Sequence, residues 1–227
     1  VRDAGGAVTH FVAIKHDISK RKQGEANMEK LQREMRIIAR EAGMAQLDDD
    51  VGIVMQKLKD MGVDDNTIVV FTTDNGTEVF TWPDGGQTPF AQSKGTVMEG
   101  GFRVPAIIRW PGKVPAGRVS NEIVHEMDTF ATFAKLAGAP VPKDRPIDGV
   151  DQSDFLMGKK ETSNREGILL FNADRLEAVK WRNWKLHLYN EQHNWFTPPQ
   201  MLGTPKLFNL ILDPKEEFPV TVENTWA

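Results

Sequence analysis

Residues 67–76 read Thr-Ile-Val-Val-Phe-Thr-Thr-Asp-Asn-Gly, and Ile68-Val69-Val70-Phe71 within them is an unbroken β-branched and aromatic run. Such a run predicts a strand covered on both faces of an α/β sheet, because neither pleat offers a polar face to water. The C-terminal end of a strand of this kind opens on the crevice where α/β sheets bind ligands. The chain there carries Asp74 and Asn75, whose carboxylate and amide oxygens are the groups that Ca²⁺ or Mg²⁺ prefers, and Gly76, which lets the backbone turn away. Asn-Gly is equally a strong turn dipeptide for conformational reasons alone, so both roles stand open for these residues.

Lys94 follows Asp74 by 94 − 74 = 20 residues, on Ser93-Lys94-Gly95-Thr96, after a loop rich in Gly and Pro that can fold it back. A compact ammonium is a point charge suited to a sulfate or phosphate oxygen. The alternative is a solvated surface lysine, the commonest state of that residue.

Taken together, these residues resemble the sulfatases, in particular arylsulfatase-like enzymes of the alkaline phosphatase superfamily. The resemblance is carried by Leu47-Asp48-Asp49-Asp50-Val51-Gly52, the Asp74-Asn75-Gly76 turn, Lys94-Gly95-Thr96, Glu99-Gly100-Gly101-Phe102-Arg103-Val104-Pro105 and Arg109-Trp110-Pro111-Gly112. It continues through Asp148-Gly149-Val150-Asp151, Lys185-Leu186-His187 and Leu207-Phe208-Asn209-Leu210, and covers about residues 47–227. It implies that Asp74 and Asn75 are two of the ligands of a Ca²⁺ ion, and that Lys94 takes part in catalysis by touching the oxygens of a small sulfate ester. The family's nucleophile is a formylglycine hydrate made from the Cys or Ser of a Cys/Ser-x-Pro-x-Arg motif. This sequence contains no Cys, and none of Ser19, Ser93, Ser120, Ser153 or Ser163 has Pro two positions later. The chain is therefore expected to retain part of a sulfuric ester hydrolase site and to be inactive by itself.

Residues 8–15 alternate apolar and polar like a strand, and residues 18–45 predict a long charged helix with a narrow apolar seam at Met28, Leu31, Met35, Ile38, Ala42 and Ala45. This segment resembles the last strand of a PAS sensor domain running into the linker helix of a sensor histidine kinase. Such a helix is expected to dimerise. The seam loses phase between Ala45 and Asp48, where a new stripe starts at Leu47, Val51 and Val54. Either one helix ends and another begins there, or two unrelated coding fragments are fused.

The expected fold is α/β: an N-terminal strand and long helix (residues 1–46), part of an alkaline-phosphatase-like mixed sheet with helices (47–157), and a small C-terminal antiparallel sheet (158–227). In that last part, residues 168–171, 178–181, 184–189 and 206–210 read as short strands, with Asn183 in a tight link. The resemblance implies that loops of this sheet border the substrate pocket. Trp195, in a polar loop beside His193 and Asn194, is expected to stack on the leaving group, whereas Trp181 and Trp184 suit core packing. A net charge of −4 argues against general nucleic-acid binding. No apolar stretch is long enough to span a membrane and the N-terminus has no secretory leader, which leaves the compartment open.

Overall fold

The computed structural model describes residues 9–78, 86, 88–190 and 199–220 and, within the first helix, side chains from residue 22 on except 36 and 40. The chain divides into two compact units, residues 1–57 and 58–227.

The first unit is formed by helix α1, Thr9–Asp60, which runs on into the second. Two expectations are corrected here. Residues 9–15 are helical rather than a strand. Among the described residues no strand pairs with them to satisfy their backbone, whereas helix propagation from the charged segment adds one hydrogen bond per residue. The phase slip at Ala45 to Asp48 is not a helix end either, since α1 passes through it unbroken. The first apolar stripe stays largely in water, with Met28, Leu31, Met35 and Ile38 each more than half exposed. No helix among the described residues is long and apolar enough to cross a membrane.

The second unit begins at Leu58, in the last turn of α1. Gly62, at φ +67°, closes the helix by letting the Gly62 and Val63 N–H groups donate back to the Lys59 and Leu58 carbonyls. Strand β1, Val69–Thr72, then pairs antiparallel with β2, Ala106–Arg109, in the register Val69 to Arg109 and Thr72 to Ala106. The expected two-sided burial is not met: Phe71 is 39% and Ile107 64% exposed, because the described residues give β1 a single neighbour. Between them lies a one-turn helix, α2, Glu99–Phe102. Helix α3, Asp128–Leu136, is closed by Gly138 at φ +70°, and a second one-turn helix, α4, covers Ser153–Leu156.

The C-terminal part is an antiparallel meander in the order β3-β4-β5-β6, formed by Gly167–Asn172, Arg175–Trp181, Trp184–Tyr189 and Met201–Asn209. All four expected strands are present. Arg182, at φ +51°, and Asn183 make the two-residue link between Trp181 and Trp184.

Strand alternation sorts this sheet into two unusual faces. Ile168, Ala178, Lys180, Lys185, His187 and Phe208 lie on the buried face, so two lysines and a histidine are inside. The opposite face carries Leu169, Trp181 and Trp184, exposed by 58%, 50% and 37%. Trp181 and Trp184 therefore do not pack in the core as expected. The β4–β5 register puts them together on the outer face, and the Arg182 guanidinium stacks on Trp181 at 4.7 Å.

Candidate active site

β1 delivers its C-terminal loop to α2, and three glycines let them interlock. The Gly76 N–H donates to the Gly101 carbonyl at 2.9 Å, and a Cβ on Gly76 would stand 1.8 Å from the Gly100 oxygen. On its other side α2 receives the loop that carries Lys94. The Gly100 N–H donates to the Ala91 carbonyl at 2.8 Å, and a Cβ on Gly101 would stand 2.2 Å from the Thr96 oxygen. The motif Glu99-Gly100-Gly101 is thus fixed by backbone close approach on two sides, the use to which glycine is best suited.

The two loops also meet directly. The Lys94 N–H donates to the Thr77 carbonyl at 2.9 Å, and its ammonium pairs with Glu78 Oε2 at 3.3 Å. Folding therefore returns Lys94 to the segment that begins with Asp74 and Asn75, as the 20-residue spacing predicted. Glu78 was not singled out in the sequence, because nothing in its spacing distinguishes it from any surface acid.

Asp74 is exposed and Asn75 half-buried. Asn75 Nδ2 donates to the Gly76 carbonyl at 2.8 Å, which orients the amide. Two hard oxygen donors side by side on a fixed loop suit a Ca²⁺ ion. They are at most a partial set: among the described residues no group of three or more His, Cys, Asp or Glu is placed to hold a metal. Beside this segment lies a cleft of about 370 Å³ lined by Thr77, Thr88, Phe90, Gln92, Lys215 and Glu217 among others. Trp195 lies outside the described residues, as do His193 and Asn194.

Behind α2 is a buried ionic network that sequence reading missed. Glu99 is fully buried and takes Lys180 Nζ on Oε2 at 2.6 Å and Lys185 Nζ on Oε1 at 3.5 Å. Lys185 also reaches Glu216 Oε2 at 3.0 Å, which His187 Nε2 meets at 2.6 Å. The Phe102 ring lies under both lysine ammoniums, at 5.7 Å and 4.8 Å. Burial alone would raise the Glu216 carboxyl; the His187 bond, the Lys185 charge and the Glu99 N–H outweigh it and bring it below the usual carboxylate range. Desolvation pulls the Lys180 ammonium below its ordinary value, against the charge of Glu99. The available signal was Lys185-Leu186-His187, an alternation that put both polar residues on one strand face without saying that the face is buried.

A second buried carboxylate braces the scaffold. Asp128, 1% exposed, accepts the Arg165 guanidinium at 2.6 and 2.9 Å and the N–H groups of His125 and Val150 at 2.9 and 2.8 Å. Asp128 occupies the first turn of α3, and His125 Nδ1 accepts the Met127 N–H at 3.1 Å just before it.

Comparison with known proteins identifies the family. The sulfatase family model matches residues 15–139, and the model of the N-sulphoglucosamine sulphohydrolase C-terminal region matches residues 91–221. The chain belongs to the sulfatase family. Among its relatives, N-acetylgalactosamine-6-sulfatase of Canis lupus familiaris is 35% identical, over 79% of this chain and 38% of the relative. Steryl-sulfatase of Homo sapiens is 32% identical, over 78% of this chain and 35% of its own. The crystal structure of the PsFucS1 sulfatase from Pseudoalteromonas sp. superposes with a TM-score of 0.74 at 32% identity, covering 82% of this chain and 39% of that one. The mixed α/β fold with its antiparallel sheets is thus a sulfatase fold, and the chain spans about 38% of the length of the first of these relatives.

Proposed function

We propose that this chain supplies the C-terminal part of a sulfate ester hydrolase site, with Asp74 and Asn75 as two Ca²⁺ ligands and Lys94 as a contact of the sulfate oxygens. The observation that carries this reading is the bond from the Lys94 N–H to the Thr77 carbonyl, which ties the lysine to the Asp74-Asn75 loop. A Ca²⁺ ion at this loop would supply charge that offsets the sulfate oxygens. Lys94 adds a second positive charge, and Glu78 holds its ammonium while leaving the side chain 34% exposed. A sulfate would share that ammonium with Glu78 or displace it. The cleft beside Thr77 and Gln92 has room for a polar leaving group, and Trp195 is proposed to stack on it.

These 227 residues carry neither Cys nor a Ser-x-Pro segment, so they offer no formylglycine precursor for the covalent step. The purified chain is expected to release no nitrophenol from 4-nitrophenyl sulfate in the presence of Ca²⁺. Turnover that persists through repeated purification would overturn the reading.

A second reading is favoured by α1, whose exposed Met28, Leu31, Met35 and Ile38 lie three or four residues apart in the unit formed by residues 1–57. In it, residues 1–46 act as a kinase-type linker that pairs with a second copy, a reading that must set aside the reach of the sulfatase family model back to residue 15. Light scattering of the chain with and without residues 1–46 decides: a dimer that becomes a monomer supports it, and an unchanged mass removes it.

A further inference from the structure

We propose that Glu216 is a positioning residue for the site: it fixes α2, and α2 fixes both loops that carry Asp74, Asn75 and Lys94. The proposal rests on the reading of those three residues as cation and sulfate contacts.

Glu216 lies far from the site in sequence, on the turn after β6, and it is 5% exposed. Its backbone stands at φ +56°, a left-handed conformation that costs a side-chain-bearing residue free energy and persists only where surroundings hold it. Asp213 does the holding. Its carbonyl accepts the Glu216 N–H at 3.2 Å, and its carboxylate accepts the N–H groups of Glu217 and Phe218 at 3.1 and 2.8 Å. The turn so formed carries the Glu216 carboxylate inward, where Oε1 accepts the Glu99 N–H at 2.8 Å and Oε2 meets Lys185 and His187.

Glu99 is the first residue of α2, so that bond anchors the helix immediately before the two residues that make its loop contacts. From there the chain of contacts is short. Gly100 donates to Ala91, three residues before Lys94, and Gly101 accepts from Gly76, next to Asn75. α2 cannot shift without moving both loops, because Gly76, Gly100 and Gly101 each lie too close to a carbonyl oxygen to admit even a methyl group. The buried charges behind α2 thus reach the site through Glu99, by its N–H and its carboxylate, and then through two backbone hydrogen bonds and the close glycine contacts. A network that only stapled the sheet to the rest of the unit would need no carboxylate on the Glu99 N–H, since Glu99 already binds Lys180 and Lys185.

The test is residue-resolved amide hydrogen exchange on the full chain, with Ca²⁺ titration of the same samples. In Glu216→Ala the amides of Glu99, Gly76, Lys94 and Gly100 are expected to exchange roughly tenfold faster, the scale of one lost hydrogen bond. The amides of Asp128 and Ala137, bonded to His125 and Phe133 on α3, are expected to keep their rates. Glu216→Gln keeps an acceptor for the Glu99 N–H and is expected to move the same amides less. It carries the test if the alanine variant fails to fold. Uniform acceleration that includes Asp128 and Ala137, or unchanged exchange at Gly76 and Lys94, overturns the proposal. Faster exchange at Gly76 and Lys94 together with no Ca²⁺ binding by the unaltered chain sustains the hold of Glu216 on the loops, and overturns instead the assignment of Asp74 and Asn75 as ligands.

Discussion

Asp128→Ala offers a severe test of how the second unit is held together. The carboxylate is 1% exposed and the Arg165 side chain only 10%, so removal strands a guanidinium that water reaches poorly. Breaking a buried ion pair from one side costs about 3–5 kcal/mol. The N–H groups of His125 and Val150 lose their acceptor at the same time, and a buried unmade donor costs about 1–3 kcal/mol. Water entering the vacated space recovers part of this, which leaves a net loss of about 4 kcal/mol, a large share of the 5–15 kcal/mol of an ordinary domain. At a urea slope of roughly 2.5 kcal/mol/M, the midpoint should fall by about 1.5 M. Fluorescence of Trp181 and Trp184 follows the transition. The double variant Asp128→Leu, Arg165→Met removes both charges and should recover most of the loss. A single variant within about 1 kcal/mol of the parent refutes the argument that this pair braces the fold.

Two further outcomes follow from the same structure. The Asp128 carboxyl is lowered because Arg165 and two backbone N–H groups outweigh its desolvation, and Glu216 is lowered by His187, Lys185 and the Glu99 N–H. Both groups bind protons more weakly folded than unfolded, so their stabilisation is whole above the ordinary carboxylate values of 3.8 and 4.5 and fades as pH falls below them. Urea midpoints from pH 7 to pH 3 should be flat at first and then drop, and the drop should shrink in Glu216→Gln. On the outer sheet face, Leu169→Lys with Trp181→Lys should reduce binding of a hydrophobic dye and raise solubility, with a stability change within about 0.5 kcal/mol. A loss of several kcal/mol would mean that this face is covered.

Local pattern carried much of the architecture. The Ile68-Val69-Val70-Phe71 run and the four strand runs of the C-terminal sheet each appear where a short-range rule places them. The return of Lys94 to the Asp74 loop was legible because a Gly-rich loop of that length can close. The long-range partnerships were not. Glu216 bonds Glu99 across 117 positions, and no periodicity relates the two. Alternation says which residues of the C-terminal sheet share a face but not which face is inside, and Lys180, Lys185 and His187 are buried because two distant glutamates, Glu99 and Glu216, answer their charges. The N-terminal strand failed because alternation without a pairing partner yields to helix propagation.

The most direct test of the account is calorimetric titration of the full chain with Ca²⁺, beside Asp74→Ala and Asn75→Ala. Two protein oxygens on a fixed loop predict one weak site, with Kd on the order of 10⁻⁴–10⁻³ M, lost in Asp74→Ala and weakened in Asn75→Ala. Absence of binding by the unaltered chain, or binding that survives Asp74→Ala, would contradict the claim that this loop holds the calcium side of a sulfatase site.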